Sequence, residues 1–394
     1  MIKSRFSCLI LLITALAGAS LPYNGLAQEL SSYTVRKVQR AYQLQQEGSL
    51  KQAIDMLESI ESSRKFDVAY VNRMLGSLYW QTEKKHQAIE HLKQAVDSKA
   101  LPESQQKDTT RMLADILLSE GRYQQAEDSY KSLLALYSKP DDLEWIWLRI
   151  AQAQYQQNKW TSVEQSVDNQ QKYQNQAGFN PKISPLNMKL YSQVALGKYT
   201  SAIYTTKAIR ELEPNNLLWW KQLTSLYMHT QNYNLALVTL QQSERAGFEL
   251  SKQYLELLAQ LYGQLGVPEK AAETFQRLAV KYGELYFTVQ AARYWQTARE
   301  WVKAESVWKQ AAIHDGKYYW QLAQLKIQLH QYQGALDAIE KMPDMSSTVL
   351  LAKTRALNAL GKHNKALESA KLAHQQSPSE ESLSWIRYLS VLSQ

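Results

Sequence analysis

A chain of 394 residues that is 45% hydrophobic carries enough apolar material for a continuous core, which excludes a disordered polymer. Its 14 glycines and 9 prolines are too few for a strand-and-turn architecture, so helices are expected. The formal net charge of +8 is spread without a dense basic run, which argues against nucleic-acid binding, where basic residues cluster on one face.

The chain opens with Lys3 and Arg5, then an apolar run from Phe6 to Ala17, then Gly25 and Ala27 at the minus-three and minus-one positions of a small-residue cleavage site. Residues 1–27 are therefore expected to be a cleaved secretory signal. The run is shorter than the roughly 20 residues of a membrane span, and an uncleaved anchor reaching Leu21 is the alternative. Cys8, the one cysteine, lies inside the run, so cleavage would leave a chain without thiol or disulfide. Loss of Lys3 and Arg5 would lower the net charge to +6.

From residue 34 onward one short signal returns: a turn residue, two further residues that often include an aromatic, two more, then usually alanine. It reads "GSLKQA" at 48–53, "EKKHQA" at 83–88, "GRYQQA" at 121–126, "NKWTSV" at 158–163 and "GKYTSA" at 197–202. It continues as "QNYNLA" at 231–236, "GVPEKA" at 266–271, "REWVKA" at 299–304, "HQYQGA" at 330–335 and "GKHNKA" at 361–366. Ten copies at a spacing of about 35 residues imply ten helical hairpins. Apolar residues three, four and seven apart give each helix one buried stripe. Gly76, Ala88, Ala259 and Ala271 are expected to let the two helices of a unit approach closely. Gly48, Gly121, Gly197, Gly266 and Gly361 are expected to end the first helix in a left-handed turn. The aromatic that follows (Tyr123, Trp160, Tyr199, Tyr233, Trp301 or Tyr332) is expected to pack over that turn.

Two stretches break the period. "NQAGFNPKISP" at 175–185 holds Gly178, Pro181 and Pro185 and is the expected division between a four-unit array over 28–175 and a six-unit array over 186–378. Near "KMPDMSS" the units shorten to 31 residues, and Pro343 should end a helix. Residues 379–394, opening with Ser379 and Ser382 in a capping-box-like arrangement, should form a capping helix that closes the core.

The residues carry no catalytic or metal pattern. No two of the seven histidines stand three or four apart, and His86 and His91, five apart, point to different helix faces. Phosphate-loop, Gly-x-Ser-x-Gly and His-Glu-x-x-His motifs are absent. The acidic pairs Asp141-Asp142 and Glu380-Glu381 stand where helices begin, and the helix dipole accounts for them. Trp145, Trp147, Trp219, Trp220 and Trp320 cluster at helix starts and read as core and inter-repeat packing, with stacking on sugar rings or peptide side chains as the alternative.

Leu75-Gly76-x2-Tyr79 with Ala88, Leu92 and Ala95, Trp220-x2-Leu223-x3-Tyr227 with Ala236 and Leu240, and Leu258-Ala259-x2-Tyr262 with Ala271 and Phe275 resemble the tetratricopeptide repeat. The resemblance covers about residues 34–378 and implies an all-α fold: a right-handed α-solenoid of about ten helical hairpins with a C-terminal capping helix. It implies a non-enzymatic scaffold without cofactor, whose concave groove is lined by the fifth, ninth and twelfth positions of each first helix. Carried over, that frame places Arg73, Arg111, Lys221 and Arg293 at the fifth position. It places Ser77, Asp115 and Ser225 at the ninth and Trp80, Leu118 and Met228 at the twelfth, with Glu256 interrupting the basic row. Cations converging there could hold a carboxylate or an acidic peptide.

"AYVNRMLGSLYW", "RMLADILLSEGRYQQAEDSY" and "EPNNLLWWKQLTSLYMHTQNYNLALVTLQQSERAGF", followed by "LYGQLGVPEKAAETF", also resemble periplasmic repeat proteins that accompany accessory TonB-ExbB-ExbD systems of gram-negative bacteria. This implies a periplasmic location, a role in TonB-dependent uptake, and TonB, ExbD or a TonB-dependent receptor as partner. The alternative is an envelope assembly factor for outer-membrane, cell-wall or polysaccharide-export machinery. A murein-cleaving transglycosylase would need a catalytic domain, for which the residues after Pro378 leave no room.

Overall fold

The computed structural model describes residues 30–392, so the signal assigned to residues 1–27 lies outside the described residues. Among those residues there are 21 α-helices, one short 3-10 turn at Gly316–Tyr318, and no strand. Helices pair in chain order. α1 (Ser32–Gln46) folds back on α2 (Leu50–Glu58), α3 (Lys65–Gln81) on α4 (Lys85–Asp97), and α5 (Glu103–Ser119) on α6 (Tyr123–Leu133). α7 (Pro140–Gln156) pairs with α8 (Trp160–Gln176), and α9 (Ile183–Ala195) with α10 (Tyr199–Leu212). α11 (Leu217–His229) pairs with α12 (Tyr233–Arg245), α13 (Lys252–Gln264) with α14 (Pro268–Tyr282), and α15 (Leu285–Thr297) with α16 (Trp301–His314). The last pairs are α17 (Tyr319–Gln328) with α18 (Tyr332–Ile339) and α19 (Ser347–Ala359) with α20 (His363–Gln376), and α21 (Glu380–Leu392) packs on α20. The described residues are thus all-α: ten helical hairpins in series and a closing helix.

The expected small positions are where helices meet. Ala88, Ala259 and Ala271 have no exposed surface. A Cβ at Gly76 would stand 2.5 Å from Leu92 Cγ, so only glycine lets α3 lie this close to α4. The five turn glycines have φ between 69° and 79°. In the other hairpins the same left-handed residue is Glu83, Asn158, Gln231, Arg299 or His330, with φ between 55° and 60°. Turn shape is therefore set by the tertiary packing of both helices, which overrides the side-chain preference at those five positions.

The chain divides into two compact units between Leu212 and Glu213, and not in the 175–185 stretch. That stretch closes as an ordinary turn: the Phe179 N–H donates to the Gln174 carbonyl at 3.0 Å, and Gly178 takes φ 71°. Met188 of α9 then packs on Ala151, Val163 and Val167 of the preceding hairpin. Proline and glycine there shape a longer turn without interrupting the core. At the observed division, Pro214 disfavours helical geometry at Glu213 and α10 stops.

Buried polar side chains tie successive hairpins within the first unit, and sequence reasoning missed them. Glu127 of α6 accepts from Gln154 at 2.9 Å and from Lys159 at 2.8 Å, and Ser166 donates back to Gln154 at 2.7 Å. One hairpin later, Glu164 accepts from Gln193 at 3.2 Å and Lys198 at 2.6 Å, and Thr205 donates to Gln193 at 2.8 Å. The two junctions thus share one clamp of carboxylate, amide, lysine and hydroxyl.

The closing helix seals the second unit. Leu389 is fully buried, with Trp385 and Ile386 against Leu336, Leu357, Ala366 and Ala370. Ser379 and Ser382 form the reciprocal cap expected of them: the Ser382 N–H donates to Ser379 Oγ at 3.2 Å, and the Ser379 N–H to Ser382 Oγ at 3.1 Å. Pro343 lies past Ile339, where α18 has already ended.

Candidate binding face on the first helices

The first helices α3, α5, α11, α13 and α15 carry the residues marked by the repeat frame, and two of these residues, Arg111 and Lys221, reach the start of the next first helix. In the first unit Arg111 of α5 lies with its guanidinium carbon 4.1 Å from the centre of the Trp145 ring of α7. Arg149, one turn further along α7, lies 5.7 Å from that ring. Both distances are within cation–π range. Tyr130 of α6 meets Trp145 edge-on at 5.8 Å and donates its hydroxyl to Asp115 at 2.5 Å. Burial pushes the Tyr130 hydroxyl well above the ordinary phenol range, and the Asp115 charge and hydrogen bond push it further, so it stays a neutral donor. Asp115 is thereby engaged and stands only 4.0 Å from Arg111 Nε.

The second unit repeats the theme with other chemistry. Lys221 of α11 lies 5.1 Å from the centre of the Tyr254 ring of α13. In the next hairpin the charge of Glu256 acts on the Tyr286 hydroxyl of α15. Burial raises the Tyr286 hydroxyl, the Glu256 charge adds to this, and Arg293 acts in the opposite direction. Glu256 therefore does more than interrupt a basic row. It stands in the place of the cations, with its charge acting on an aromatic of the next hairpin.

Not all of the candidates fall where the frame put them. Arg293 stands eleven residues before Ala304, the spacing of Ser77 from Ala88, and so occupies the ninth position. The fifth position of that hairpin is Val289, which is buried. Arg73, Ser77, Leu118 and Met228 are half-buried, and Trp80, Arg111, Ser225 and Arg293 are exposed. Trp80 keeps 38% of its surface exposed, enough to contact a ligand. Trp145, read from the sequence as packing, does pack, but it also gathers two arginines. Arg149 was not marked at all. It sits one place beyond the fifth position of α7, and the aromatic at the start of that helix was the available signal.

The histidines lead elsewhere. His91 Nδ1 lies 2.7 Å from Asn72 Oδ1 and the ring stacks on Tyr79 at 5.3 Å, with burial lowering its pKa. Among the described residues no group of three or more His, Cys, Asp or Glu could hold a metal ion. No described helix is long and apolar enough to cross a membrane.

Residues 73–142 and 111–162 match the tetratricopeptide-repeat family model. No curated protein matches this chain. Among solved structures it is similar to a tetratricopeptide-repeat protein from Parabacteroides merdae, with 13% identity over 66% of this chain and 98% of that one, and a TM-score of 0.35. The C-terminal part of a repeat protein from Cytophaga hutchinsonii gives 16% identity over 70% and 99%, with a TM-score of 0.34. Naa15/Naa10 bound to HypK-THB gives 14% identity, 91% of this chain and 59% of that one, and a TM-score of 0.46. Tetratricopeptide repeats generally build non-catalytic scaffolds for protein–protein interaction.

Proposed function

We propose that this tetratricopeptide-repeat chain is an exported, non-enzymatic scaffold that holds a protein partner on the face of its first helices, as a periplasmic accessory to TonB-dependent transport. The observation that carries the binding role is that the cations at the fifth position of two first helices each meet an aromatic at the start of the next first helix, Arg111 with Trp145 and Lys221 with Tyr254, all partly exposed. An aromatic face combined with an oriented charge suits anchoring of partner side chains. Export is supported by the Lys3/Arg5, apolar-run and Gly25-x-Ala27 pattern, and the link to TonB by the resemblance of residues 69–80, 111–130 and 213–248.

Photo-crosslinking in the native periplasm from Arg73, Ser77, Trp80, Lys221, Ser225, Met228 and Arg293, with mass spectrometry of the adducts, tests this reading. Capture of TonB, ExbD or a TonB-dependent receptor is expected. Capture of murein synthases, export components or outer-membrane assembly factors would assign the chain to envelope assembly instead. Adducts arising only from second-helix control positions would remove the first-helix face as the binding surface.

A further inference from the structure

We propose that Tyr155, Trp160 and Tyr191 form a seat for one cationic side chain of the partner protein, arginine before lysine; this rests on the reading that the first helices are the binding face. Tyr155 of α7 stands eight residues before Val163, as Trp80 stands before Ala88, and Tyr191 of α9 stands eleven before Ala202, as Ser77 stands before Ala88. Both therefore occupy the twelfth and ninth positions that the repeat frame assigns to the groove, in two hairpins where no residue was marked. With Trp160, which opens α8, they close a triangle of rings. Tyr155 and Trp160 are 5.5 Å apart at 71°, Tyr155 and Tyr191 5.5 Å at 64°, and Trp160 and Tyr191 5.2 Å at 60°. Tyr155 and Met188 pack on Ala151, Val163 and Val167, which anchors the cluster, while Tyr191 keeps 53% of its surface exposed.

The charge distribution of the rings decides what the cluster attracts. An aromatic ring is negative on its faces and positive at its edge, so rings set edge to face satisfy one another's edges and leave outward faces negative. Elsewhere the chain covers such faces with its own cations: Lys37 lies 5.0 Å from the centre of Tyr33, Lys207 5.9 Å from that of Tyr204, and Lys221 5.1 Å from that of Tyr254. Among the described residues no lysine or arginine stands over a ring of this triangle. The lysines nearest along the chain are engaged by carboxylates, Lys159 with Glu127 at 2.8 Å, Lys189 with Asp168 at 2.5 Å and Lys198 with Glu164 at 2.6 Å. Their charges are offset, so an incoming cation meets negative ring faces without an unbalanced positive charge beside them. Guanidinium is favoured over ammonium because it is planar, stacks on a ring and is more weakly hydrated. A proline or a sugar would draw only on the apolar area of the same rings.

The test titrates the full chain with N-acetyl-arginine methylamide, with the neutral isostere N-acetyl-citrulline methylamide as control, and follows the Trp160 indole N–H and the Tyr191 ring protons by NMR. Saturable shifts with the arginine compound and none with the citrulline compound are expected. Tyr191→Leu should weaken binding about three- to tenfold, and Tyr191→Phe should retain it because the ring face carries the attraction, both at unchanged melting temperature. Equal shifts with the citrulline compound, no saturable shift with the arginine compound, or full retention of binding in Tyr191→Leu would overturn the proposal. Tighter binding of N-acetyl-proline methylamide or of methyl glucoside would overturn it as well, by assigning the rings to an apolar or sugar ligand. Photo-crosslinking from Ser77 separates this site from the wider reading. Partner capture there without an arginine effect leaves the scaffold role standing and removes this site, whereas no capture from any first-helix position removes the scaffold role itself.

Discussion

Lys159 Nζ lies 2.8 Å from Glu127 Oε2 and spans the junction of the third and fourth hairpins, so a lysine in a turn reaches a carboxylate that is 97% buried. Burial alone would raise the Glu127 carboxyl. Hydrogen bonds from Lys131, Lys159, Gln154 and Gln157 outweigh it and hold the group at about 2. The bonds win because the anion accepts from four donors, two of them charged.

A stability loss in acid follows from that pair. The folded pKa lies below the ordinary carboxyl value of 4.5, so the contribution is complete above about pH 4.5 and disappears as the pH falls toward 2. Its size is about 2 kcal/mol after allowing for solvent screening at the two partly exposed lysines. Glu127→Gln should lower the melting temperature at pH 7 and shrink the difference between pH 5 and pH 2.5. An unchanged acid profile would show that the clamp carries no such weight.

At Gly76 the expected cost of a single methyl is large for its size. The nearest heavy atoms to an added Cβ are Leu92 Cγ and Cδ2, at 2.5 and 2.8 Å, and the Ala88 carbonyl at 3.2 Å. Gly76→Ala should therefore destabilise by roughly 1–3 kcal/mol through forced separation of α3 and α4, despite alanine's better helix propensity. A urea midpoint at or above that of the parent would contradict the close approach.

The five non-glycine turns invite the opposite change. Glu83→Gly and Arg299→Gly place glycine where φ is already 60° and 59°, and each should stabilise by about 0.5–1 kcal/mol. Conversely Gly361→Ala, at φ 72°, should destabilise by about 1 kcal/mol. Thermal melts of the three variants measure all of this, and a rise for Gly361→Ala would refute the strain argument.

Leu389 tests the closing helix. Its removal as Leu389→Ala leaves a cavity among Leu336, Leu357, Ala366 and Ala370 and should cost about 2–4 kcal/mol locally. Because hairpins contact mainly their neighbours, amide exchange should quicken in α19–α21 and stay unchanged in α1–α4. Uniform acceleration along the chain would mean that the array unfolds as one block.

Several features were legible in the amino acids because they arise from local rules. Ten turn signals at a near-constant spacing announced ten hairpins, alanine and glycine marked the close contacts, and Ser379 with Ser382 marked a cap. These depend on periodicity, side-chain size and short-range hydrogen bonding, which a one-dimensional reading can follow. The repeat frame also pointed to Arg111, Lys221 and Glu256, since the same place in each first helix faces the same neighbour.

Other features depended on which residues meet across hairpins. That Arg111 and Arg149 share Trp145, 34 and 4 residues away from it, follows from the packing of α5 against the following hairpin. The same holds for the clamps at the buried Glu127 and the half-buried Glu164, built from residues that read as surface polar groups. The break expected at 175–185 was displaced to 212–213, since proline and glycine govern the local turn while compactness depends on the side chains packed beyond it. The repeat, its period and its helices follow from the amino acids alone, because hydrophobic spacing acts along the chain. Where charges and rings converge follows from the folded packing, because contacts between successive hairpins depend on how each one stacks on the next.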